Sequence, residues 1–274
     1  MNRAMAAQGR SRAGWMAAAA LVAALGGLAG CATPHHDPMA AAGPSQSEES
    51  DQRRRARIRL ELASSYYAEG KTDIAFEELR QVIATDPSYP DAYNLQGLIF
   101  MRLGDERQAE ESFRRGLALN PRDSDTAHNY GWLLCQLQRY PDSYRAFQQA
   151  LANPMYSDRA KTHMALGLCQ ARGGQLADAE SSLTRSYELD PANPITGYNL
   201  ARLLYDRGQY ERAQFYIRRL NNSERANAES LWLGIKVENR MSDRQAMGQL
   251  SDVLRRRFPQ SKERESLDRR AFDE

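Results

Sequence analysis

Apolar residues along this chain recur at helical intervals, and the stretch HNYGWLLCQLQRY at 128–140 shows both the rule and an exception. At about 3.6 residues per turn, Tyr130, Leu134 and Leu137 share one stripe, the spacing of a helix face turned to a core. His128, Trp132, Cys135 and Gln136 share the other side, where a solvated helix normally carries charge. A tryptophan and a cysteine there call for a second surface to touch.

From Arg55 onward the pattern repeats. Ala63, Gly97, Gly131, Gly167, Ala201 and Gly234 advance by 34, 34, 36, 34 and 33 residues, and Ala75, Ala109, Ser143, Ala179, Ala213 and Ala246 advance by the same steps. The two series stay 12 residues apart in every repeat, so insertions fall between units and never inside one. That is what a rigid helical hairpin requires, its two helices approaching closely at the small residues. Leu62, Tyr66, Leu79 and Val82 fill the layers of the first unit, and Tyr93, Phe100 and Phe113 those of the second. Pro87, Pro121 and Pro191 each close a second helix, because a ring without an N–H cannot continue it.

A helical-hairpin period near 34 with both markers in phase resembles the tetratricopeptide (TPR) repeat. The resemblance covers residues 56–260 and implies an all-α fold, a right-handed superhelical solenoid of about six helix-turn-helix repeats. Unit 3 carries two extra residues around NPMYSDRA, and the tail SKERESLDRRAFDE reads as a frayed helix capping the last unit.

In such a solenoid the first helices line the concave side, and the residues pointing into it lie away from the small-residue seam. They are Leu60, Ser64 and Tyr67 in unit 1, Asn94, Leu98 and Met101 in unit 2, and His128 and Trp132 in unit 3. Unit 4 adds Met164 and Leu168, and unit 5 adds Tyr198 and Tyr205. Solvated faces are charged; this one is aromatic, Leu and Met, a surface able to hold an apolar helix or an extended segment. A tightly wound superhelix that packs on its own inner face is the alternative. Arg57, Lys161 and Arg202 are scattered among apolar neighbours, which argues against a clamp for a peptide's terminal carboxylate.

The N-terminus changes the compartment. Arg3, Arg10 and Arg12 precede the uncharged run AGWMAAAALVAALGGLAG, too short and alanine-rich for a membrane span. It ends in LAGC at 28–31, which resembles the lipobox of bacterial lipoproteins, with Cys31 the residue that takes the lipid. Acyl chains contribute about 0.8 kcal/mol per buried CH₂, so several together anchor firmly. Ala32 stands where an aspartate favours inner-membrane retention in that family, so the resemblance implies the outer membrane, lipid-anchored and facing the periplasm. The expected organisation is a signal peptide at 1–30, a lipidated flexible tether at 31–52, the TPR solenoid at 53–260 and a polar tail at 261–274.

Removing the signal peptide also removes the basic balance. The 37 Lys and Arg fall to 34 against 35 Asp and Glu, so no basic footprint for nucleic acid survives. RRRARIR at 53–59 reads as a solvated helix start. His35, His36 and Asp37 lie in the tether without preorganised partners, and His128 and His163 stand without a nucleophile, carboxylate pair or metal spacing. Neither an enzyme, a small-molecule substrate nor a cofactor other than the covalent lipid is expected.

With Cys31 lipidated, Cys135 and Cys169 remain, in an oxidising compartment. If units stack as TPR repeats do, both lie on first helices of adjacent units, four and two residues past Gly131 and Gly167. Helix axes about 8–10 Å apart then place the two Cα atoms about 4.5–6 Å apart, inside the disulfide range. A bridge is expected, the alternative being two buried thiols.

The wording narrows the class. NYGWLLCQLQRYPDSYRAFQQALANPMY, ALGLCQARGGQLADAESSLTRSYELDP and LWLGIKVENRMSDRQAMGQLSDVLRRRFPQS resemble the type IV pilus biogenesis/stability family, the PilW/PilF-like TPR pilotin lipoproteins. Asn129 through Trp132, Cys135, and Gly167 through Cys169 carry the likeness most specifically. It implies a non-catalytic adaptor that binds the pilus secretin subunit in the concave groove and promotes its outer-membrane localisation and multimer assembly. The other reading is a TPR lipoprotein scaffold for envelope machinery such as murein hydrolases.

Overall fold

The computed structural model describes residues 50–272, which are helical throughout their regular structure. The expected signal peptide, the expected lipidation site Cys31 and the expected tether up to residue 49 lie outside the described residues. Six hairpins follow one another: α1 (Asp51–Ala68) with α2 (Thr72–Thr85), α3 (Pro90–Leu103) with α4 (Glu106–Leu119), and α5 (Ser124–Gln136) with α6 (Tyr140–Leu151). Then come α7 (Arg159–Arg172) with α8 (Leu176–Leu189), α9 (Pro194–Asp206) with α10 (Tyr210–Asn221), and α11 (Ala228–Arg240) with α12 (Arg244–Arg257). A short α13 (Lys262–Asp268) closes the array. First helices also touch the first helices of neighbouring units (α1–α3, α3–α5, α5–α7 and α9–α11), which places them on the inside of the stack.

The small residues do what the spacing predicts. Ala63, Ala75, Ala109, Ala179, Ala201 and Ala213 are fully buried. A Cβ on Gly97 would stand 2.5 Å from the Phe113 ring, one on Gly131 2.9 Å from Phe147, and one on Gly167 2.8 Å from Leu183. In each case the large residue lies 16 positions after the small one, as do Leu79 after Ala63 and Ile217 after Ala201, and all five are buried. In these five hairpins the seam is one small residue against one large one; in the sixth, Gly234 faces the Asn221 side chain and a half-buried Leu250, and Ala246 is only half-buried.

Hairpin turns keep the same metre. Gly70, Gly104, Gly174 and Gly208 adopt positive φ (71–79°), the left-handed conformation that ends a helix and that glycine reaches without steric cost. The equivalent residues of units 3 and 6 are Gln138 and Ser242, held at φ 59° and 60°. The two extra residues of unit 3 fall in the connector 152–158, where buried Tyr156 donates a hydrogen bond to Asp125 at 3.1 Å.

Three details depart from the expectations. Helix α1 starts at Asp51, capped by the Ser50 side chain, so the solenoid begins two residues earlier than 53. Leu62 is 43% exposed rather than packed. The basic stretch is a solvated helix start: Arg54, Arg57 and Arg59 are exposed and pair with Asp51, Glu61 and Glu78, and Arg53 reaches across to Asp86 at the end of α2. The tail is no loose end: Leu267 is buried with Leu231, Ile235 and Leu254, and Phe272 packs against the same cluster. No helix among the described residues is long and apolar enough to cross a membrane.

Candidate partner-binding site

The concave row begins at α1. Leu60 is 7% exposed and forms the floor of an open recess of about 610 Å³, shared with Ser64, Asn94 and Leu98. Asn94 accepts a hydrogen bond from the Asn129 amide at 2.9 Å, tying α3 to α5. Tyr67 is half-buried and donates through its hydroxyl to the Leu98 carbonyl at 3.2 Å. Leu98 and Met101, also half-buried, pack on the core formed by Ala109, Phe113 and Leu133.

His128 is corrected by the structure. It does not face the groove; at 6% exposure it lies between units, its Nδ1 2.8 Å from Thr162 Oγ1 and its ring edge-on to Phe147. Burial, with Lys161 adding to it, pushes its pKa down to about 4, so the ring is neutral at neutral pH. A helical wheel of α5 alone puts His128 beside Trp132, but the neighbouring α7 covers it.

Trp132 is half-buried. It packs on Cys135, Phe147, Ala165, Leu166 and Cys169, and the Arg172 guanidinium lies 5.2 Å over its ring. Beneath it Cys135 and Cys169 are joined by a disulfide whose Cα atoms are 5.9 Å apart. Met164, Leu168, Tyr198 and Tyr205 continue the row, half-buried against the core of units 4 and 5. Burial raises the Tyr198 hydroxyl's pKa and so keeps it protonated.

Two features were missed in the sequence. The rings of this face are roofed by cations from the following unit: Arg102 lies 3.6 Å over Tyr67, Arg172 over Trp132, and Lys236 5.4 Å over Tyr205. The face is therefore mixed aromatic and cationic, less greasy than its residue types suggest. Unit 6 also contributes, through Trp232 and Lys236, to a cavity of about 600 Å³ with Tyr198, Tyr205 and Phe272. Both lie 34 residues beyond Tyr198 and Arg202, a signal hidden when unit 6 is counted from Gly234. No cluster of His, Cys, Asp or Glu suited to a metal ion occurs among the described residues.

Six hairpins in this register, with first helices inside, define a TPR solenoid. Tetratricopeptide-repeat family models match residues 60–124, 130–194 and 171–232. The type IV pilus assembly protein PilF of Pseudomonas aeruginosa is 30% identical over 238 residues, 86% of this chain and 92% of PilF. The crystal structure of PilW, described as a widely conserved type IV pilus biogenesis factor, superposes with a TM-score of 0.70 at 30% identity, covering 77% of this chain and 97% of PilW. A structure of Pseudomonas aeruginosa PilF gives 0.73 at 26% identity, over 81% of this chain and all of that one. The chain belongs to the PilF/PilW family of TPR proteins.

Proposed function

We propose that this chain is a lipid-anchored adaptor for type IV pilus biogenesis that holds a secretin subunit in its concave face. The observation that carries the reading is the row of half-buried aromatic, Leu and Met side chains from Tyr67 to Tyr205, on a chain of the PilF/PilW family. Its relatives are named for pilus assembly and biogenesis, and the LAGC motif at Cys31 supplies the anchor. The lipid on Cys31 keeps the solenoid at the periplasmic leaflet of the outer membrane. The inner face grips an apolar segment of the subunit and suppresses its aggregation before the ring assembles, and the tether lets both move together. Grip comes from burying rings and aliphatic chains, about 25 cal/mol per Å² removed from water.

The test is the level of secretin multimers in outer membranes of cells carrying Trp132→Ala or Leu98→Asp, with circular dichroism of the purified variants as the folding control. Multimers should fall by several-fold while helix content holds. Normal multimers in both variants would overturn the mechanism.

A further inference from the structure

At the C-terminal end of the array the chain folds back on itself. Phe272 stacks on Trp232 with ring centroids 5.6 Å apart and planes inclined by 26°. The stack does not anchor α13 by itself, since Leu267 is buried separately against α11 and α12. The cavity beside it, about 600 Å³, is far larger than one phenyl ring fills and has the size of a ligand site. Tyr198 and Tyr205 form its opposite wall.

Its charges are not evenly disposed. Asp206 lies 3.9 Å from Arg202, an i,i+4 pair, and Glu229 and Glu263 stand on the wall as well. Lys236 sits among the rings, its Nζ 5.4 Å from the centre of Tyr205 and 5.9 Å from that of Trp232, and Arg240 lines the cavity 6.0 Å from the centre of Tyr210. Burial holds its ammonium below the ordinary lysine range, against the pull of Asp206. An ammonium partly stripped of water and set beside an aromatic stack favours an incoming carboxylate.

We propose that this cavity binds an extended protein segment carrying an aromatic side chain beside carboxylates, and that Phe272 occupies the aromatic position in cis. The tail supplies the template, for its sequence runs Ala271, Phe272, Asp273, Glu274: a ring followed by two acids. A tethered ligand acts at an effective concentration in the millimolar range, so the tail raises the threshold a partner must exceed to enter. The site stands on the geometry of units 5 and 6 and holds whichever assembly the chain serves.

The experiment uses the full chain and a fluorescein-labelled peptide copying residues 268–274, DRRAFDE, with binding followed by anisotropy. The peptide should bind Phe272→Ala about tenfold or more tightly than the intact chain. Replacing the peptide's phenylalanine by alanine, or adding Lys236→Gln to the Phe272→Ala chain, should weaken it about fivefold or more. Thermal melts report whether the last hairpin stays folded; if Phe272→Ala melts early, Phe272→Leu, which removes the ring and keeps most of its volume, takes its place. Equal affinity for the intact and Phe272-substituted chains, or binding indifferent to the peptide's ring, would overturn the proposal.

Discussion

Units 3 and 4 meet through α5 and α7, units 5 and 6 through α9 and α11, and the two junctions solve one packing problem in opposite ways. The first is shut: a disulfide crosses it, His128 bonds to Thr162 inside it, and Trp132 lies over it. At the second, a cavity of about 600 Å³ opens between first helices, and the units are held from the other side by Glu238, fully buried, accepting from Arg218 at 2.7 and 2.8 Å and from Gln214 at 2.8 Å. From unit 5 to unit 6 the seam advances 33 residues while Tyr198 and Arg202 find their counterparts 34 on, in Trp232 and Lys236. The turn positions 208 and 242 are also 34 apart, so Trp232 and Lys236 hold the regular places of Tyr198 and Arg202, and Gly234 is the residue that falls one position out of step.

The contrast can be broken from the closed side first. Replacing both cysteines, Cys135→Ser with Cys169→Ser, reopens a 34-residue loop in the unfolded chain and should lower stability by about 3–4 kcal/mol in urea unfolding. Unchanged unfolding midpoints would show that the bridge adds nothing to the junction.

Acid acts on the same junction. The His128 pKa of about 4 in the folded chain lies below its unfolded value, so the unfolded state binds the extra proton first. Its contribution is complete above about pH 6.5 and is lost as pH falls toward 4, a total of about 3 kcal/mol. His163, also lowered by burial, adds in the same direction. His128→Gln should flatten the stability profile between those limits; an unaltered slope would put the proton elsewhere.

On the open side, Arg218→Ala leaves the buried Glu238 carboxylate to the Gln214 amide, which donates to it at 2.8 Å, and should cost about 2 kcal/mol. Hydrogen exchange should quicken in α11 and α12 and stay unchanged in α5 and α7. The smallest effect is a gain. Gln138→Gly relieves a left-handed residue at φ 59° and should stabilise by about 0.5 kcal/mol, readable as a small rise in melting temperature.

The array itself was legible because a hairpin seam is a local fact: a small residue, then a large one 16 positions on, leaves its mark on one stretch of chain. Tyr67, Leu98, Trp132 and Tyr205 were legible on the same terms, each turned away from its own seam. What a neighbour does to a face is not local. His128 reads as a groove residue until Thr162 and Phe147 close over it, and Leu62 reads as core although it stands 43% exposed. Arg102 and Lys236 cover rings that belong to another unit, which no single helix's pattern shows. Phe272, in a run of charged residues, has no periodic partner to announce that it folds back onto Trp232.

The turn positions 70, 104, 138, 174, 208 and 242 make the hairpins interchangeable parts, since a cut between equivalent turns removes one whole link and rejoins matching ends. The cysteine staple withdraws that freedom from links three and four, which must be inherited, grafted or deleted as a pair. A shortened chimera that drops link two should therefore fold, whereas one that drops link four strands a thiol and loses its stiffest joint.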